Sequence, residues 1–102
     1  ARAGLMNMLA KLKRRMPDAK DEALLSELLE AAGEMIRAYT GRDAVPEALR
    51  GAQIEVAAML YNRMGMEGES THEEGALHRR ADSLPEYLKR QLNPYRLART
   101  VV

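Results

Sequence analysis

The chain has 102 residues, 46 % apolar and 30 % charged, with a net charge of +1, a length and balance that suit one compact, single domain over residues 1–102. It has no cysteine, which excludes disulfides, cysteine-based metal sites and thiol nucleophiles and makes a reducing cytoplasm the expected compartment. Its aromatic residues are four tyrosines, so the core must come from Leu, Ala, Met, Ile and Val, a mixture that favours helices over strands.

The first predicted helix runs from about Gly4 to Met16. Leu5, Met8, Leu9, Leu12 and Met16 recur at three- and four-residue steps and mark one apolar face. Lys11, Lys13, Arg14 and Arg15 cluster in its second half, where cations suit the negative end of the helix dipole. Pro17 stops it. Asp18 is the expected cap of the second helix, with Asp21 and Glu22 in or near its first turn. There Leu25, Leu28, Leu29, Ala32, Met35, Ile36 and Tyr39 form one stripe, and Gly41 follows as a left-handed terminator.

A polar link from Arg42 to Val45 leads to Pro46 at a helix start. Between Ala52 and Tyr61 only Gln53 and Glu55 interrupt an apolar run, and a helix apolar on most sides must be buried on most sides. Residues 65–82 break the pattern: Gly65, Gly68 and Gly75 punctuate a stretch rich in Glu, Ser and Thr, which predicts a long polar loop or weak hairpin. Loops of that length in small domains carry function or are disordered. Ser83 and Glu86 then have capping-box spacing with Pro85 in the first turn. Leu84, Tyr87, Leu88 and Leu92 form a short apolar face, Asn93-Pro94 ends the helix, and residues 94–102 form an extended tail. The expected fold is all-α, a small bundle of three to four helices.

Reaction chemistry is hard to place on this chain. His72 and His78 sit in or beside the predicted loop with Glu73 and Glu74 near, but their spacing fits no zinc motif. No nucleophile has a base at recognisable spacing and no glycine pattern cradles a phosphate, so no catalytic residue, metal ligand or cofactor is expected. The run Lys11 to Arg15 is compatible with phosphate contacts and equally with a solvated helix end. The seven methionines read as core or adaptable interface. No apolar run is long enough to span a membrane and no signal-peptide pattern opens the chain.

Charge is unevenly spread: residues 1–20 carry six basic and one acidic side chain, residues 21–78 four and twelve, and residues 79–102 six and two. An acidic middle between basic ends gives each copy unlike surfaces that can meet in an assembly, or is ordinary variation along helical surfaces.

The segments Asp21-Glu22-Ala23-Leu24-Leu25, Leu28-Leu29-Glu30-Ala31-Ala32 and Tyr39-Thr40-Gly41-Arg42 resemble the opening helix of phage head–tail connector (adaptor) proteins. Pro46 with Leu49, the helix closing on Leu60-Tyr61-Asn62-Arg63, then Leu84-Pro85 and Leu92-Asn93-Pro94-Tyr95-Arg96, continue the likeness over residues 21–97. The resemblance implies a structural virion protein of the neck, assembled in the host bacterial cytoplasm. It implies a twelve-fold homo-oligomeric ring below the portal protein, which extends the DNA channel and seats a stopper or tail-completion protein. Carried over, the loop acids Glu67, Glu69, Glu73 and Glu74 line the channel, where they repel passing DNA without binding it specifically. Tyr95, Arg96 and Arg99 belong to a portal-docking tail. The first helix lies outside the matched stretch. A second reading is a small helical DNA-binding protein of packaging or regulation that uses Lys11, Lys13, Arg14 and Arg15.

Overall fold

The computed structural model describes residues 2–66 and 84–97. Among them α1 (Arg2–Arg15), α2 (Glu22–Thr40), α3 (Arg50–Met66) and α4 (Glu86–Leu92) carry the fold, with 3₁₀ turns at Glu47–Leu49 and Asn93–Tyr95 and no strand. The all-α expectation holds. From residue 67 onward the predicted loop lies outside the described residues, as does the tail beyond Leu97.

Helix α2 begins where local chemistry starts it. Asp21 has extended backbone (φ −91°, ψ 95°), and its carboxylate accepts the Leu24 amide at 3.1 Å, which satisfies one of the orphan donors of the first turn. Asp18 is therefore not the cap. A turn closed by the Ala19 amide on the Met16 carbonyl (2.9 Å) tucks Ala19 into the core, so the chain is still turning where Asp18 stands. The other end follows the sequence: Gly41 is left-handed (φ 74°), and the amides of Gly41 and Arg42 both bond the Arg37 carbonyl, the 5→1 bond of an αL cap and the 6→1 bond of a Schellman cap on one acceptor.

The apolar stripes become the core. Leu12 of α1, Leu25, Leu29, Met35 and Ile36 of α2, Val56 of α3, and Leu88 and Leu92 of α4 are all fully buried. Each such side chain contributes on the order of 2 kcal/mol of burial. Helices α1, α2 and α3 pack mutually, and α4 lies across α2 and α3. The central helix α3 is buried on most sides, as its composition requires. It runs through Gly65 to Met66, so Gly65, where the sequence predicts the break, is still helical. Pro46 precedes the 3₁₀ turn that feeds α3, not α3 itself.

Two predictions for α4 need correction. Its N-cap is Pro85, in extended conformation and with no side-chain cap, while Glu86 is the first helical residue. A capping box needs the acid three positions further in, so the Ser83–Glu86 pairing does not describe this helix; Ser83 itself lies outside the described residues. Tyr87 is 52 % exposed, because the buried line is Leu84, Leu88, Leu92 at four-residue steps and Tyr87 points about 100° away from it.

Gln53 is the one polar side chain that joins α3 to α2 in the interior: it is buried, and its amide donates to the Leu29 carbonyl at 2.7 Å. Gly33 makes room for it, since a Cβ there would stand 2.9 Å from the Gln53 nitrogen. Gly51 is the contrary case, exposed and with nothing within 4 Å of a Cβ. Gly33→Ala forces the buried amide aside, a clash of about 2 kcal/mol offset by about 1 kcal/mol of helix propensity. The expected thermal midpoint falls by roughly 4–8 °C. Gly51→Ala, with propensity alone acting, raises it by a few degrees, of order 0.5 kcal/mol. Calorimetry on the two variants checks both signs.

Candidate functional site

Two surfaces collect the residues that the sequence singles out. The first is a strap that ties the chain after α4 to the end of α2. The Tyr39 hydroxyl donates to the Asn93 side-chain carbonyl. Arg42 Nε donates to the Tyr95 carbonyl at 2.7 Å, and the Leu97 amide to the Thr40 carbonyl at 2.8 Å. The Arg96 guanidinium lies over the Tyr39 ring, 4.6 Å from its centroid, a cation–π geometry worth about 0.5–1 kcal/mol at an exposed site. Thr40 is buried, its hydroxyl donating back to the Ile36 carbonyl at 2.7 Å, which leaves its own carbonyl to receive the strap.

This strap joins the two stretches Tyr39–Arg42 and Leu92–Arg96, which the sequence presents far apart. Tyr95 is half-buried against the core and sits in a 3₁₀ turn, not in an extended tail; Arg96 is extended, and both it and Leu97 are exposed. Arg99 lies outside the described residues. Sequence reasoning missed Arg42 and Thr40 as receptors of the strap. The sole signal for them was that both ends fall in motifs of one family.

The second surface is the basic run on α1. All four cations are exposed, but they are not equivalent. Lys13 pairs with Glu22 at the start of α2, and Arg15 pairs with Glu55 of α3. These solvent-exposed pairs steer helix placement more than they stabilise, each worth at most about 1 kcal/mol. Lys11 and Arg14 join no ion pair among the described residues. They border an open groove between α1 and α3 whose floor includes Gly51 and Ile54.

The acids Glu67, Glu69, Glu73 and Glu74 lie outside the described residues, as do His72 and His78. Among the described residues no group of three His, Asp or Glu side chains converges to hold a metal, and no helix is long and apolar enough to cross a membrane. What does converge is packing, strapping and surface charge. The class this defines is a small helical bundle with a strapped C-terminal turn.

The family model described as Phage gp6-like head-tail connector protein matches residues 6–96, and the chain belongs to that family. Its function is thereby that of a phage structural connector at the junction of head and tail. The match reaches back to Met6, so α1, which the motif resemblance left out, is part of the family domain, and it runs forward through the strap to Arg96. No curated protein and no solved structure matches the chain significantly.

Arg42→Ala removes the guanidinium hydrogen bond to the Tyr95 carbonyl, a loss of order 1.5 kcal/mol for a charged donor. The Leu97 amide is then expected to exchange with solvent about tenfold faster, since 1.36 kcal/mol is one decade, while amides in α2 and α3 keep their protection. Amide hydrogen exchange read residue by residue checks it.

Proposed function

We propose that this chain is the subunit of a closed ring, twelve-fold as in the family it resembles, that joins the capsid portal to the stopper or tail and extends the channel through which DNA passes. The observation that carries the reading is the family match running unbroken from α1 to the strap. A ring subunit needs rigid, unlike faces on one small body, and a bundle of mutually packed helices with an anchored C-terminal segment supplies them. In this reading the strap fixes the chain as far as Leu97, and Tyr95, Arg96 and Arg99 belong to the portal-docking tail. Glu67, Glu69, Glu73 and Glu74 line the channel and keep phosphates from sticking. Assembly takes place in the host bacterial cytoplasm, and the ring has no catalytic task and no cofactor.

The DNA-binding alternative asks for a continuous basic strip. Two of the four cations in the α1 run are already held by Glu22 and Glu55, which favours an assembly role for that helix.

Electron microscopy of the full chain mixed with the portal protein encoded in the same genome tests the proposal. A ring of added density below the portal is expected, lost when residues 98–102 are removed and Arg96 is changed to Glu. A well-folded chain that leaves the portal bare contradicts it. Replacing the four loop acids by Gln is expected to leave ring formation intact and to raise retention of duplex DNA at low salt.

A further inference from the structure

The groove between α1 and α3 has the chemistry of a receptor that nothing among the described residues fills. Lys11 and Arg14 stand on its border, exposed and without ion-pair partners among the described residues. Its floor holds Gly51, a residue that weakens a helix relative to alanine. No contact among the described residues demands a glycine there, because a Cβ would meet none of them within 4 Å. Gly33 and Gly4 differ: a Cβ would crowd the Gln53 amide at the first and the Arg50 guanidinium, 3.0 Å away, at the second. Arg15 and Glu55 complete the lining and neutralise each other as an ion pair, so the surplus charge of the groove is that of Lys11 and Arg14, which fits close approach by an acidic element from outside.

An element of that kind lies on the opposite side of the same molecule. On α2, Glu27, Glu30 and Glu34 are exposed, without ion-pair partners among the described residues, and spaced by three and four residues. Ala23 and Ala38 continue the row at its two ends. Like charges at these spacings repel along a helix, so the row disfavours the isolated subunit. It points directly away from the buried line of Leu25, Leu29, Ala32 and Ile36. Because α1, α2 and α3 pack mutually, a groove between α1 and α3 faces away from α2. Acidic row and basic groove therefore sit on opposite sides of the bundle, the placement that a head-to-tail contact between identical subunits requires.

We infer that, in the ring proposed above, the acidic row of α2 in one subunit seats in the Lys11–Arg14 groove of its neighbour. The occupant is a second copy of this chain. The inference rests on the ring reading and adds to it the two faces that meet. Opposed charges at such a contact fix register and reject wrong pairings, and they make assembly sensitive to salt.

The test uses two charge-reversed full-length chains, Lys11→Glu with Arg14→Glu, and Glu30→Lys with Glu34→Lys, each checked for helix content. Ring completion on the portal protein of the same genome is read by native mass spectrometry. Each variant alone is expected to lose ring formation at least tenfold. Their equimolar mixture restores it, because every junction in an alternating ring is again between opposite charges, and a misfolded chain gives no such rescue. Wild-type rings together with rings from each variant alone overturn the pairing and leave the ring reading standing, and so does loss in each variant with no rescue on mixing. A wild-type chain that forms no ring overturns both. If the α1 variant loses salt-dependent binding to duplex DNA while still forming rings, the groove belongs to DNA and the pairing is wrong.

Discussion

The contact between α2 and α3 at Gly33 governs how the rest of the molecule is laid down. Gln53 is buried there, and a buried amide without a partner costs about 1–3 kcal/mol. It finds one in the Leu29 carbonyl at 2.7 Å, and it reaches that oxygen because position 33 has no side chain. This fixes the two longest helices against each other at one point along their length, in a core otherwise made of non-directional Leu, Ile, Val, Ala and Met contacts. Helix α1 then covers one side of the pair with Met8 and Leu12, and α4 covers another with Leu88 and Leu92. Everything offered to partners is carried on the outside of this arrangement.

Periodicity and termination are local, and so they were legible. The stripe of Leu25, Leu29, Ala32 and Ile36, the αL stop at Gly41 and the burial of α3 on most sides follow from residues within one or two turns of each other. Cap assignments failed where two candidates lay close together. Asp18 and Asp21 are both good caps, and the choice was made by the turn that buries Ala19, a tertiary effect. Tyr87 was misplaced because a helix of seven residues has too few turns to define its face. The strap was illegible for a plainer reason. Tyr39 and Asn93 are 54 residues apart, and nothing in either stretch announces the other.

The functional reading has a similar division. Family membership could be reached from motif order because several of the quoted stretches mark the junctions of this fold: the two ends of α2, the entry to α3 and the strap. The match of residues 6–96 brings α1 into the family domain as well. The unpaired charges on α1 and α2 were visible in the sequence only as an uneven distribution. It took the bundle to divide the basic run into cations engaged within the subunit, Lys13 and Arg15, and cations left facing outward, Lys11 and Arg14.

The central claim is that this bundle is a subunit of the connector between head and tail. The most direct measurement is a cryo-electron microscopy reconstruction of the neck of the mature particle whose genome encodes the chain. The account predicts a ring at the tail-facing end of the portal, with each repeat fitting α1 to α4 and the strapped segment running toward the portal. A neck in which no density fits the bundle, with the chain absent from purified particles by mass spectrometry, contradicts it.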